Sequence, residues 1–271
     1  TGQAQESLLM KLQDLGLMLL INLIWSFFFI AAKFSLEHFP PLMFTAIRFV
    51  LLLAVLFPLL KIHKGQMQRV LGIALALGAL TFGFIFAGLA LSDASVIAVA
   101  SQLGVPFSAL LSVIVFGEKA SVRRWAGIAL SFSGVLVITF DPTAFRFVVG
   151  MALVVAGVFC GAAGAVFQSK LKDVGVFQLM AWVAAIAAPV MIAASLIFES
   201  GQLEAIQSAD LAVWGGSIYV AYASTLIGDL GYFWLLRRYE VTRIAPMVLL
   251  TPVFAVALSV LILDDTLTWR M

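Results

Sequence analysis

An apolar run with a proline near its middle occurs twice in this chain. Residues 95–118 read SVIAVASQLGVPFSALLSVIVFGE, and residues 241–264 read VTRIAPMVLLTPVFAVALSVLILD. A shift of about 146 residues aligns Pro106 with Pro252 and the acidic end Glu118 with Asp264. A period of half the chain predicts two homologous halves. Matched, interrupted apolar helices in two halves are also the best pointer in a sequence to the binding site of a transporter.

The length of the apolar runs places the chain in a membrane. Residues 15–32 and 97–116 each reach the roughly 18 apolar residues that mark a spanning helix. The chain is 63% hydrophobic and 11% charged, whereas a soluble domain is about 25% charged. We therefore predict an all-α polytopic membrane protein. The net charge of +2 is too small to favour a nucleic-acid partner.

Nine helices are predicted, with a short polar break, DPTAFR, at residues 141–146. The first half holds helices at about 14–35, 41–60, 69–91, 94–116 and 123–140, and the second half holds helices at about 148–169, 176–198, 211–236 and 243–263. The fifth helix has a counterpart that begins only at residues 267–271, so a tenth helix is expected beyond Met271. The predicted units are residues 1–146, a first five-helix repeat, and residues 147–271, a second repeat that stops before its last helix.

The basic residues predict the orientation of the chain, because cytoplasmic loops of membrane proteins are enriched in Lys and Arg. Twelve Lys and Arg residues fall on the side of the even-numbered connections and three on the other side, with Arg48 inside a helix. The N-terminus is therefore predicted to be cytoplasmic. Since each repeat has an odd number of helices, the second enters the membrane from the opposite face, which makes the repeats inverted.

The string PFSALLSVIVFGEKASVRRWAGIALSFSGVLV at residues 106–137 resembles the EamA-type signature of the drug/metabolite transporter superfamily. Trp25 in the first helix and the run leading to Arg48 in the second resemble it too. Residues 245–269 resemble it more loosely, with Asp264 where the signature prefers Glu. The resemblance implies a 5+5 inverted-repeat bundle that moves small metabolites by alternating access. It also implies an exporter of amino acids or similar solutes, as in bacterial relatives.

Depth along the helices selects the candidate substrate-binding residues. At about 1.5 Å per residue, Asn22 and Asp229 lie roughly 11 Å from the cytoplasmic face, and Arg48 and Gln102 lie about as far from the outer face. Arg48 and Asp229 are therefore not expected to form a direct salt bridge. Nearer the midplane come three aromatic residues: Trp25, Phe159 and Tyr222.

Asp229 is the sharpest single signal, since a carboxylate within a spanning helix is costly and usually marks a pathway or a proton relay. Tyr222, Thr225, Asp229 and Tyr232 have the spacing of one helix face. Protons are therefore a candidate partner. The alternative is that Asp229 only caps a polar network or pairs with Arg237 or Lys33.

Other intramembrane residues leave two interpretations open. Arg48 supports helix packing or snorkels to the interface, or else it holds a substrate carboxylate. Gln102 binds a ligand or joins helices. Gly157, Gly161 and Gly164, with Gln168, form a small-residue face that favours close helix packing over room for a ligand.

Pro106 and Pro252 are predicted hinges for a rocking motion, with static kinks as the alternative. No phosphate-binding loop and no HExxH motif is present, and His38 and His63 fall in connections on opposite faces, so an enzyme, a cofactor and a metal site are not predicted.

The sequence thus favours a secondary transporter of a bacterial inner membrane that exports amino acids through a midplane cavity. Large neutral or aromatic amino acids are weakly favoured by the aromatic content. The alternative is a channel or a lipid translocator.

Overall fold

The computed structural model describes residues 11–117, 122, 125–127, 129–130, 133, 145–171, 173–236, 238–239, 244 and 247–263. All regular structure in these ranges is helical. The helices are α1 (Leu12–Leu36), α2 (Pro41–Leu56), α3 (Met67–Leu75), α4 (Thr81–Ala90), α5 (Ala94–Ser101), α6 (Gly104–Phe116), α7 (Phe145–Gln168), α8 (Val176–Phe198), α9 (Gln202–Ser208), α10 (Leu211–Ile218), α11 (Leu230–Leu236) and α12 (Leu250–Leu263). A 3₁₀ turn, Phe57–Leu59, ends α2, and two π-helical segments, Ala76–Leu80 and Tyr219–Asp229, join α3 to α4 and α10 to α11.

Seven helical stretches within these residues are long and apolar enough to cross a membrane. They are Leu12–Leu36, Pro41–Leu59, Met67–Ala90, Ala94–Phe116, Val148–Gln168, Val176–Phe198 and Leu211–Asp229, and the shorter apolar helix Leu250–Leu263 follows them. Their outer faces carry exposed apolar side chains such as Ile114 and Leu196, as lipid contact requires. The prediction of an all-α polytopic membrane protein is confirmed. Most of the predicted fifth helix, and the acidic residues Glu118 and Asp264, lie outside the described residues.

The helices pair in a pattern that an internal repeat would produce. α2 packs along α8, and α5 packs on α12. α1 packs on α12 and on the Tyr219–Asp229 segment, while α7 packs on α6 and on α4. If the first and sixth, third and eighth, and fourth and ninth predicted helices are equivalent, the contacts of α1 mirror those of α7. This symmetry supports the two predicted units, 1–146 and 147–271, which remain a proposal.

The fourth and ninth predicted helices are broken just before their prolines. α6 begins at Gly104 and α12 at Leu250, so Pro106 and Pro252 are each the third residue of a helix, where a missing N–H costs no hydrogen bond. Four residues before each proline, the carbonyls of Gln102 and Val248 accept from the amides of Val105 and Thr251 instead, in an i→i+3 bond. The prediction of interrupted helices agrees with these turns, and the role of Pro106 and Pro252 as hinges remains a proposal. Each proline follows a tight turn, which in the first half separates α5 from α6.

Polar contacts join the helices at one end of the bundle. The Glu199 carboxylate accepts from the backbone amides of Leu42 (2.7 Å) and Met43 (2.9 Å), which satisfies free N–H groups in the first turn of α2. The Lys33 ammonium donates to the carbonyls of Leu89 (2.9 Å) and Ser92 (2.7 Å), at the carboxyl end of α4. Both contacts follow from the helix dipole, which favours an anion at the start of a helix and a cation at its end.

Candidate functional site

Arg48 lies in the centre of the bundle, surrounded by aromatic rings. Its side chain is 5% exposed, and its guanidinium carbon lies 3.8 Å from the centroid of the Phe82 ring. Phe28, Phe49 and Phe86 place their ring centroids at 5.1, 5.6 and 5.8 Å. These four rings, from α1, α2 and α4, form what we call the phenylalanine cage. Cation–π attraction to ring faces offsets part of the cost of burying the charge.

The guanidinium of Arg48 is only partly satisfied by hydrogen bonds. Nη2 donates to the hydroxyl of Thr225 at 3.2 Å. Nε and Nη1 are buried and have no hydrogen-bond partner. A buried, unpartnered donor on a charged group is costly, and such a group in a native structure calls for an explanation.

Asp229 stands close to Arg48 without touching it. It is the last residue of the Tyr219–Asp229 segment, and its charge and that of Arg48 act on each other. No ion pair within 4.0 Å joins the two side chains, both of which belong to the described part of the chain. The two residues nevertheless line the same two cavities, of about 180 and 220 Å³.

Trp25 and Tyr232 pack edge-on against each other beside Asp229, with ring centroids 5.3 Å apart. The indole N–H of Trp25 donates to the carbonyl of Ser224 at 3.3 Å, and Trp25 and Asp229 line the same cavity. Gly228 permits this approach, since a Cβ there would lie 2.5 Å from the indole nitrogen. Trp25 lines the 220 Å³ cavity together with Gln102, which sits in the break between α5 and α6.

A larger cavity of about 1040 Å³ lies beside this region, between α4, the broken helix α5–α6 and α7. Its lining is small, apolar or hydroxyl-bearing: it includes Thr81, Ser101, Gly104, Ser108, Ala109, Ser112, Gly161 and Ala162. Tyr232 also lines it. The Trp25–Tyr232 pair and the break at Gln102 therefore stand between the large cavity and the charged one.

Three predicted site residues lie elsewhere. Asn22 is fully buried and bonded, because its amide donates to Met18 at 2.7 Å and its carbonyl accepts from the Thr251 hydroxyl at 2.7 Å. Phe159 is 42% exposed and packs edge-on against Phe107. Tyr222 donates its hydroxyl to the Leu51 carbonyl at 3.1 Å, which ties the π-helical segment to α2. None of these three residues lines the cavities of about 180, 220 and 1040 Å³.

The predicted common face of Tyr222, Thr225, Asp229 and Tyr232 does not form. Hydrogen bonds of the i→i+5 type widen the turns of the Tyr219–Asp229 segment, so the α-helical spacing used in the prediction does not apply there. Thr225 and Asp229 do both line the cavity of about 180 Å³, whereas Tyr232 faces Trp25 and the larger cavity.

The small-residue face of α7 packs closely against the third span. A Cβ at Gly157 would lie 2.7 Å from the backbone oxygen of Thr81, and one at Gly164 would lie 2.6 Å from Cγ of Leu77. The interpretation of these glycines as packing residues is confirmed. Gly161 meets Thr81 as well and also lines the large cavity.

Sequence reasoning missed the phenylalanine cage. The available signal was the spacing of Phe82 and Phe86, four residues apart and so on one helix face, in a chain with a single arginine buried in a predicted span. Thr251, which bonds Asn22, was missed because a lone threonine in an apolar helix gives no signal of its partner.

Buried charges, cavities between helices and broken helices inside a bundle of apolar spans are typical of a polytopic membrane transporter. The model of the EamA-like transporter family matches this chain twice, over residues 14–140 and 148–271. The chain belongs to this family. That membership confirms the predicted resemblance and the prediction of a transporter rather than an enzyme.

Two curated relatives and one solved structure extend the comparison. The chain is 31% identical over 271 residues to the "Probable amino-acid metabolite efflux pump" of Escherichia coli (strain K12), with 96% of this chain and 90% of that protein covered. It is 26% identical over 261 residues to the "Uncharacterized inner membrane transporter YedA" of the same strain, with 93% and 84% covered. A protein of known crystal structure has a TM-score of 0.61 at 18% identity, over 95% of this chain and 91% of that one, which shows a common fold.

Proposed function

We propose that this chain is a secondary transporter that exports amino acids by alternating access between two inverted repeats. Large neutral and aromatic amino acids are its favoured substrates. The chain resides in a bacterial inner membrane with its N-terminus in the cytoplasm. Amino acids enter the central cavities from the cytoplasmic side and leave on the other side.

The observation that carries this proposal is the presence of two kinds of cavity next to each other in the bundle, on either side of the Trp25–Tyr232 pair. One has about 220 Å³ and carries Arg48 and Asp229, and the other has about 1040 Å³ and is mostly apolar. Ligand pockets are typically apolar, about 300–1000 Å³ in volume, with a few placed polar groups. A solute with a charged end and an apolar end suits this arrangement.

The relatives support the same substrate class. The family match covers both halves of the chain, and the E. coli relative at 31% identity is named as an amino-acid metabolite efflux pump. The inner-membrane assignment is supported by the second relative, whose name places it in an inner membrane.

Counterflow in liposomes tests the proposal. Vesicles carrying the purified chain are loaded with one unlabelled amino acid at a time, and uptake of the labelled form is followed against protein-free vesicles. We expect uptake that saturates and is inhibited by large neutral amino acids. Uptake that rises linearly with concentration would indicate a channel, and movement of labelled lipid without any amino-acid exchange would indicate a lipid translocator.

Proton coupling is the second part of the proposal and rests on the position of Asp229 beside the cavities. A pH gradient imposed on the same vesicles is expected to drive amino-acid uptake in the wild type, and this dependence on the gradient is expected to be lost in Asp229→Asn. Fluxes that are independent of pH in both proteins would remove protons from the mechanism.

A further inference from the structure

We propose that Arg48 and Asp229 together bind the zwitterionic head group of an α-amino acid, with the carboxylate on Arg48 and the ammonium on Asp229. This inference rests on the proposed function, and it names the atoms that recognise the substrate.

The donors that Arg48 leaves free have the geometry of a carboxylate site. A guanidinium presents five N–H donors, and two of its edges each offer a pair of parallel hydrogens. These edges are Nη1 with Nη2, and Nε with Nη2. Thr225 takes one hydrogen of Nη2, while Nε and Nη1 have no partner. Whichever hydrogen Thr225 takes, one complete two-donor edge remains without an acceptor from the protein, and such an edge matches the two oxygens of a carboxylate.

The phenylalanine cage contacts the guanidinium of Arg48 but provides no acceptors for its in-plane hydrogen-bond donors. Rings contact the guanidinium of Arg48 from α1, α2 and α4, and the nearest, Phe82, is 3.8 Å from its central carbon. Ring faces attract the cation, but they accept no in-plane hydrogen bonds of ordinary strength. The cage therefore holds the arginine and leaves its in-plane donors unsatisfied. An anion in the adjoining cavity supplies the missing acceptors.

Asp229 supplies the second half of the head-group site. It lines the same two cavities as Arg48, and the two charges interact although no direct ion pair within 4.0 Å closes the space between them. A ligand with one negative and one positive group on neighbouring atoms fits between an arginine and an aspartate. A ligand with only one of these charges would leave either Arg48 or Asp229 buried without a counter-charge from the ligand, which is costly.

The sizes of the cavities assign the rest of the substrate. Cavities of about 180 and 220 Å³ are below the usual range for a whole organic ligand. They suit a head group, while the neighbouring volume of about 1040 Å³ suits a large side chain. Trp25 and Tyr232 lie at the boundary between these spaces. A large apolar side chain would therefore pass beside two aromatic rings.

The test compares analogues that lose one charge at a time. Counterflow of labelled L-phenylalanine by the reconstituted full chain is measured in competition with unlabelled L-phenylalanine, its methyl ester, phenethylamine and 3-phenylpropanoate. The ester and the amine lack the carboxylate, and the propanoate lacks the ammonium. We expect each of the three to compete at least tenfold less well than L-phenylalanine. Equal competition by the ester or the amine would overturn the role of Arg48, and equal competition by the propanoate would overturn that of Asp229.

Variants extend the test to the residues themselves. Arg48→Gln is expected to raise the half-saturation concentration for L-phenylalanine at least tenfold and to abolish the preference over the methyl ester. Arg48→Lys keeps the charge but lacks the two-donor edge, so its half-saturation concentration for L-phenylalanine is expected to fall between those of the wild type and Arg48→Gln. Arg238→Gln is the matched control, because that guanidinium also stacks on a ring (Trp234, 3.9 Å) but is exposed and lines none of these cavities. If Arg48 only packs helices, Arg48→Gln lowers the melting temperature and leaves the preference over the ester intact.

The outcomes separate this inference from the proposed function. Counterflow of amino acids without discrimination against the charge-deficient analogues overturns the head-group site and leaves the exporter standing. The absence of counterflow with every amino acid, from protein with a cooperative melting transition, overturns both. The analogue series uses only the wild type, so it decides the question even if Arg48→Gln does not fold.

Discussion

Two helix pairs that correspond in the repeat are packed in different ways. α12 packs on α1, and α6 packs on α7, each pair joining a proline-containing helix to the first helix of a half. Hydrogen bonds connect the first pair: the Ser26 hydroxyl donates to the Thr251 carbonyl at 2.8 Å, and the Thr251 hydroxyl donates to Asn22 at 2.7 Å. The second pair instead borders the 1040 Å³ cavity. Ser101, which also lines this cavity, donates its hydroxyl to the Ile97 carbonyl within α5 rather than to another helix.

The two pairs share the same backbone turn and differ in the hydrogen bonds that their side chains make. Both prolines stand at the same place in a helix, after the same i→i+3 turn. In one pair the polar groups around this turn bond across the helix contact, and in the other pair they face empty volume. We infer that the α1–α12 pair is an anchored contact and the α6–α7 pair is an open one. This difference fits the proposed mechanism, in which one repeat rocks against the other.

Filling the open pair has the largest expected effect on transport. Ala109→Phe adds a ring to the lining of the large cavity, so we expect the rate of amino-acid counterflow to fall more than about tenfold, or roughly 1.4 kcal/mol of barrier. Ile114→Phe is the control, since that side chain is 68% exposed on the outer face of the same helix. Equal transport by the two variants would show that the cavity is not on the substrate path.

The glycine face of α7, which packs against the third span, gives the largest expected effect on stability. Gly157→Ala places a Cβ 2.7 Å from the Thr81 backbone oxygen, so the helices must separate, and we expect a loss of about 3 kcal/mol, at the upper end of the range for overpacking. Gly16→Ala, where nothing lies within 4 Å, is the matched control and should be neutral or stabilising. Thermal unfolding in detergent compares the two, and an unchanged melting temperature for Gly157→Ala would contradict the close contact.

Removing the hydrogen bond between Thr251 and Asn22, which joins α12 to α1, should have a smaller effect on stability. Thr251→Val leaves the side-chain carbonyl of buried Asn22 without its donor, at a cost of about 1–2 kcal/mol. Ser217→Ala removes an equally buried hydroxyl that bonds only Val213 of its own helix, so its melting temperature should change less. If the two variants melt alike, the hydrogen bonds across the α1–α12 contact do not anchor it.

Fold class and span positions could be predicted because lipid imposes a simple rule. A spanning segment needs about 20 apolar residues with its backbone bonded internally, and composition alone reports this. α8, for example, occupies Val176–Phe198, the range that its apolar run predicts. The glycine face of α7 was predictable for a similar reason, since small residues at helical spacing have few uses other than close approach.

The site was less predictable, because depth in the membrane does not report direction around a helix. Asn22 and Trp25 lie less than one turn apart in α1, yet Asn22 bonds Thr251 and Trp25 lines a cavity. The π-helical segment Tyr219–Asp229 also changed which residues share a face. Nothing in the residues 219–229 themselves signals i→i+5 bonding, since that geometry depends on the tertiary contacts around the helix.

Substituting the prolines should have the smallest effect on transport, and it compares the two pairs at the same position. Neither Pro106→Ala nor Pro252→Ala removes a hydrogen bond, and each restores an N–H that can bond the carbonyl four residues earlier, at Gln102 or Val248. The restored bond extends the helix through the turn. At Pro106 this repositions Gln102, which lines the charged cavity, so we expect counterflow to slow about threefold, or roughly 0.6 kcal/mol of barrier. At Pro252 the turn is held by Thr251 and Asn22, so the rate should change less than about twofold. Melting temperatures of both variants should stay close to wild type, and a larger slowing for Pro252→Ala than for Pro106→Ala would reverse the assignment of the anchored and the open pair.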